Sequence, residues 1–227
     1  FLSASWDKTV KLWVPEREAP VQSFDEHLHT VYAAQWSPHD AGRFASVSGD
    51  CSLRLFDVSS ALCCARPPLP DDASSPTCVL AGPRAVASVA AHSGEVLAVD
   101  WNKYSPGILA TAGLDRVIKI WDARRLTIPV GTLAGHSFGI RRLKYSPHQE
   151  NMLASVSYDM TACLWDTTSE DALFQRATHH TEFVFGLDFR LFRPGFVATC
   201  AWDRTVCMWR YGDGAPPTIP KPPPQIV

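Results

Sequence analysis

Five aspartates, Asp7, Asp50, Asp115, Asp159 and Asp203, divide this chain at intervals of 43, 65, 44 and 44 residues. A second marker runs in phase with them: His27, His92, His136 and His180 each stand 23 residues before the following Asp. That offset selects His27 over His29 and His180 over His179. A hydroxyl lies four residues before each Asp (Ser3, Ser46, Thr111, Ser155, Thr199), and an aromatic ring six residues after it (Trp13, Phe56, Trp121, Trp165, Trp209). A fixed period of this size means one supersecondary unit stacked on copies of itself, each burying the apolar face of the next. The long interval equals one period and about half of another, so an insertion interrupts the array there.

Within a unit the local pattern is β. Ile140 to Tyr145, Met152 to Val156 and Met160 to Trp165 are short runs rich in strand formers. Ser146-Pro147-His148 ends the first run and Tyr158-Asp159 bends between the next two, with related turns at Ser37-Pro38-His39 and Tyr104-Ser105-Pro106. No window sustains a helical stripe, so the fold class is all-β. Hydrophobic residues at 46% supply a core, and 19% charged residues exclude a disordered or coiled-coil chain. Residues 1–211 read as the repeat array. The stretch 58–84, with Pro67-Pro68, Pro70, Pro76 and Pro83, reads as a disordered insertion, with strand character resuming near Val86. The segment 212–227, with Pro216-Pro217 and Pro222 to Pro224, reads as an extended polyproline-type tail.

A 44-residue period with Gly135-His136, then Ser/Thr, Asp and a closing Trp121-Asp122 or Trp165-Asp166, resembles WD repeats, each of which forms one four-stranded β-propeller blade. The marks are altered where Glu26 stands for Gly, Phe56 for Trp, and Val14 or Arg210 for Asp. The resemblance implies that in each blade the loop His bridges the turn Asp and the strand hydroxyl beneath the aromatic. About four and a half blades are present. The first repeat lacks an inner strand and the last an outer one, so the array reads as part of a larger ring that continues beyond Phe1.

Enzymatic readings fare poorly. His, Ser and Asp suggest a catalytic triad, but the set recurs at identical offsets and no G-x-S-x-G elbow accompanies it. No phosphate-binding glycine loop occurs. His179-His180 has no third ligand at an interpretable spacing, so neither metal nor cofactor is expected. A net charge of −2 gives no field for nucleic acid, and no apolar run is long enough for membrane insertion. Seven cysteines, an odd number without a C-x-x-C pair, fit a reduced, cytosolic protein.

What remains is a binding face. The residues just before the turn aspartates should reach it: Trp6, Leu114, Tyr158 and Trp202, with Gly49 as the gap. Aromatic residues of this kind anchor interfaces. The loops after the phased histidines add Glu95 and Glu182 with Phe138 and Phe183, an acidic and aromatic mouth suited to a basic, amphipathic peptide.

A narrower resemblance rests on His179-His180-Thr181-Glu182-Phe183 with Gly186 to Phe189, on Gly135-His136 with Ile140-Arg141-Arg142 and Tyr145-Ser146-Pro147, and on Val31-Tyr32 with Trp36-Ser37-Pro38-His39. With Ser5-Trp6-Asp7 and Asp100-Trp101-Asn102-Lys103-Tyr104, these are similar to the receptors for type-2 peroxisomal targeting signals. That family implies a seven-bladed propeller that binds cargo carrying an N-terminal Arg-Leu-x-x-x-x-x-His-Leu signal. It acts with a co-receptor and docking complex and moves between cytosol and peroxisomal matrix. The insertion and proline tail are not part of its pattern. A scaffold subunit of another cytosolic or nuclear complex, using the same face, is the competing expectation.

Overall fold

The computed structural model describes residues 1–58 and 84–212. The expected insertion, apart from its ends, and the proline tail after Gly212 lie outside the described residues. Among the described residues there is no helix, and so none that is long and apolar enough to cross a membrane.

Among the described residues, eighteen strands form five antiparallel sheets in chain order. Blade 1 has β1 (Leu2–Ala4), β2 (Val10–Leu12) and β3 (Gln22–Phe24). Blade 2 has β4 (Val31–Trp36), β5 (Arg43–Ser48), β6 (Ser52–Asp57) and β7 (Ala85–Ala90). Blade 3 has β8 (Val96–Trp101), β9 (Ile108–Gly113), β10 (Val117–Asp122) and β11 (Gly131–Ala134). Blade 4 has β12 (Ile140–Tyr145), β13 (Met152–Ser157), β14 (Ala162–Asp166) and β15 (Leu173–Ala177). Blade 5 has β16 (Val184–Phe189), β17 (Phe196–Ala201) and β18 (Val206–Arg210). The all-β partial propeller expected from the repeat is therefore observed, and β7 resumes at Ala85, one residue before the expected point.

Four apolar layers hold five sheets together. Phe24, Phe44 and Phe56 fill the layer between blades 1 and 2; Val47, Leu53, Trp101 and Trp121 fill the next. Ile118, Leu143, Leu153 and Trp165 join blades 3 and 4, and Leu164, Leu187, Val197 and Trp209 join blades 4 and 5. Blades 3 and 4 are packed on both faces, which is why β8 and β13 are buried at every position, whereas β18 of the end blade alternates between exposed and buried.

Two irregularities repeat with the period. Each inner strand carries a bulge at its second residue, between Val31 and Ala33, Val96 and Ala98, Ile140 and Arg142, and Val184 and Gly186. The residue after each turn aspartate, Lys8, Cys51, Arg116, Met160 or Arg204, has φ between 64° and 74°. That left-handed conformation is unusual for residues with a Cβ, and the bonds made by the preceding Asp hold it in place.

Candidate functional site

The phased residues meet as the repeat implies. In blade 4, His136 Nδ1 lies 2.8 Å from Asp159 Oδ2 and Nε2 lies 2.7 Å from Ser155 Oγ, to which the Trp165 indole donates at 2.8 Å. In blade 3, His92 spans Asp115 at 2.8 Å and Thr111 at 2.7 Å, and Trp121 donates to Thr111 at 2.8 Å. In blade 2, His27 spans Asp50 at 2.9 Å and Ser46 at 2.7 Å. Phe56 has no donor and instead stacks on Phe44. In blade 5, His180 spans Asp203 at 2.8 Å and Thr199 at 2.9 Å.

Trp209 departs from the scheme. Its indole nitrogen is buried without a partner, because His179 Nε2 occupies the Thr199 hydroxyl at 3.0 Å. The histidine pair thus acts as a unit, although the 23-residue offset selects only His180.

The hydroxyls of these sets are committed inside their blades. Ser46, Thr111 and Ser155 are fully buried and face an imidazole, and Thr111 and Ser155 also accept an indole N–H. Burial alone works against ionisation of Asp159, yet bonds from His136, Thr161 and the Ser137 amide hold it well below the usual carboxylate range. Asp50 and Asp203 are held down in the same way.

His27, His92 and His136 differ with the residue four places after the turn Asp. His27 and His92 are lowered, chiefly by burial, and Arg54 and Lys119 add positive charge beside them. At His136 burial also opposes the charged form, but Asp159 and Cys163 push it up to about 9. In an NMR titration, His27 and His92 are expected to titrate below about 6.5 and His136 near 9. His27 and His92 therefore stabilise the neutral fold and lose that contribution as pH falls below about 6.5. The contribution of His136 is complete below about 6.5 and is lost as pH rises through about 9.

The rim residues are placed by a repeated backbone bond. The amide before each Asp donates to a loop carbonyl three residues after the phased His: Gly49 to Thr30, Leu114 to Glu95, Tyr158 to Gly139 and Trp202 to Phe183. Tyr158, Phe183 and Trp202 come together. Tyr158 lies 5.3 Å from Phe183, and Phe183 lies 5.6 Å from Trp202. Leu114 and Tyr158 both press on Gly139. Trp202 remains 62% exposed. Trp6 (81% exposed), Phe138 and Glu182 also reach solvent, but they make no ring contact or ion pair among the described residues.

Four residues at this mouth escaped the sequence reading. Tyr32, Leu97, Arg141 and Phe185 each lie five residues after a phased histidine, at the bulge of the inner strand. Phe185 stacks on Trp202 at 4.7 Å, Arg141 sits over Phe185 at 5.7 Å, and Tyr32 donates to Glu95 at 2.7 Å. The five-residue offset was available as a signal; it was hidden because the four side chains share no chemistry. They change the expected electrostatics. Arg141, Arg142 and Lys144 line a cavity of about 310 Å³ with Tyr32 and Leu97, so the mouth is mixed in charge rather than simply acidic. Glu26 is also committed, to Arg54 at 3.0 Å.

The model of the family described as WD domain, G-beta repeat matches residues 18–57, 83–122, 127–166 and 173–210, well over half of the chain. The chain belongs to the WD-repeat family. Among curated relatives, this WD-repeat chain is similar to the peroxisomal targeting signal 2 receptor of Saccharomyces cerevisiae, with 31% identity over 154 residues. That alignment covers 56% of the chain and 36% of the relative. The WD repeats described here thus span little more than a third of that relative's length.

The expected absence of a third ligand beside His179-His180 is altered by the WD fold itself. Cys207, 27 residues beyond His180 in the sequence, places its sulfur beside the pair.

Proposed function

We propose that this chain is part of a non-enzymatic import receptor that binds the N-terminal type-2 signal of peroxisomal cargo. With a co-receptor and docking complex, the receptor delivers that cargo from the cytosol into the peroxisomal matrix. The five blades form part of a seven-bladed ring, and the mouth built from Trp202, Phe185, Phe183 and Tyr158 takes the apolar side of the signal. Glu95, which accepts the Tyr32 hydroxyl, offers a carboxylate to the signal's arginine.

The observation that carries this reading is the clustered, partly exposed aromatic mouth, in a chain similar over more than half its length to a receptor for that signal. Rings of this kind supply large contact area at little conformational cost. The charge of Arg141 suits the signal less well, and it keeps like charge away from one side of the mouth.

The test uses the full-length protein with its co-receptor and a fluorescent Arg-Leu-x-x-x-x-x-His-Leu peptide. Saturable binding is expected, lost when the peptide arginine is changed to glutamate. Trp202→Ala should weaken binding at least roughly tenfold, a loss typical of an interface anchor, with melting unchanged. Absence of peptide binding, with cargo import intact in cells lacking the protein, overturns the receptor reading in favour of a scaffold subunit.

A further inference from the structure

Blade 5 differs from its neighbours at the position before the phased histidine. Blade 4 has Gly135 there, and a Cβ on it would stand 2.8 Å from the Trp165 ring. Blade 3 has the similarly small Ala91 there, and in both blades the indole closes over the strand hydroxyl. Blade 5 has His179 instead. Its Nε2 takes the Thr199 hydroxyl, and two buried polar atoms are left without partners: His179 Nδ1 and Trp209 Nε1. Orphaned groups of this kind cost roughly 1–3 kcal/mol each, and the pair marks a polar pocket that the protein's own groups do not complete.

Cys207 completes a different pattern. It stands opposite Thr199 in the β17–β18 ladder, fully buried. One potential ligand atom from each of His179, His180 and Cys207 lies within 4.8 Å of the other two. Blade 4 has Cys163 in the register of Cys207 and His136 in that of His180, but Gly135 denies it a second imidazole. Only blade 5, among the described residues, assembles all three.

We propose that His179, His180 and Cys207 form a binding site for a thiophilic divalent cation, with zinc as its type. One thiolate and two imidazoles are a donor set that zinc accepts, leaving one position for water. The outer partner is already in place: Asp203 holds His180 Nδ1 at 2.8 Å, the carboxylate–histidine pairing that orients metal-bound imidazoles. Release of His180 Nε2 from Thr199 frees its lone pair for the metal, and Thr199 keeps its bond to His179 Nε2, whose unpartnered Nδ1 is the second nitrogen donor. Binding converts the Cys207 thiol to a metal-bound thiolate and releases one proton to solvent, with no change in oxidation state.

The test uses the full chain, reduced, with Cys63, Cys64 and Cys78 changed to Ser so that those thiols do not compete. Cobalt(II) is the probe. One equivalent is expected to produce a thiolate-to-cobalt charge-transfer band that zinc displaces. Cys207→Ala should abolish the band, and His179→Gly, which restores the residue used in blade 4, should weaken binding at least roughly tenfold. Should His179→Gly fail to fold, Cys207→Ser gives the same readout by loss of the band. No band at stoichiometric cobalt, or a band that survives in Cys207→Ala or Cys207→Ser, overturns the site. A protein that binds the targeting peptide but no cobalt rejects this proposal alone.

Discussion

Asp159→Ala should lower the melting temperature by roughly 6–12 °C, the equivalent of about 3 kcal/mol in a domain of this size. The side chain is almost wholly buried and accepts four bonds: from His136 Nδ1 at 2.8 Å, the Ser137 amide at 2.9 Å, the Thr161 amide at 3.1 Å and the Thr161 hydroxyl at 2.6 Å. Truncation orphans all four donors, two of them inside the blade, and removes the support of the left-handed Met160. Asp7 occupies the same place in its repeat, but its side chain is half exposed and its carboxylate accepts from the nearby Thr9 and Lys11. Asp7→Ala should therefore change the melting temperature little. Thermal unfolding of the two variants side by side measures the contrast. An Asp159→Ala protein that melts normally yet loses peptide binding would assign the residue to the ligand rather than to the blade.

The second large effect belongs to a residue with no side chain. Gly113 ends β9, and a Cβ built on it would stand 2.1 Å from the Glu95 carbonyl oxygen. That oxygen is backbone, and it also accepts the Leu114 amide. No rotamer change relieves the clash, so β8 and β9 must part at the bulge. Gly113→Ala should cost about 2–3 kcal/mol, or roughly 4–12 °C, and should weaken peptide binding because Leu114 and Glu95 move with the strand end. Gly94→Ala is the control: its nearest neighbour would be 3.5 Å away, an ordinary contact, and its melting should match the parent's. If both glycine variants melt alike, the close approach at Gly113 does not govern the rim.

Much of this architecture can be read from spacing alone. The 23-residue offset identified each imidazole–carboxylate pair, the four-residue offset each hydroxyl, and the 44-residue period the blades themselves. Period is legible because every copy of the unit solves the same packing problem with the same residues.

The mouth was only half legible. Tyr158, Phe183 and Trp202 were found because they stand beside phased residues. Tyr32, Leu97, Arg141 and Phe185 obey an equally strict offset, but a hydroxyl, an alkyl group, a guanidinium and a ring present no common signature. A binding face is where repeats are free to differ, so its chemistry is the part that periodicity hides.

The sequence by itself determined the all-β blades and the polar groups paired inside them, because backbone pairing and buried hydrogen bonds impose the same demands on every repeat. Only the tertiary structure decided which side chains from different blades touch. Phe185 meets Trp202, Arg141 covers Phe185, Tyr32 holds Glu95, and Cys207 joins His179 and His180. Those encounters depend on bulges that turn the second residue of each inner strand toward the mouth and on the strand register that sets Cys207 opposite Thr199. Register and bulge geometry are fixed by neighbouring strands in three dimensions, not by distance along the chain.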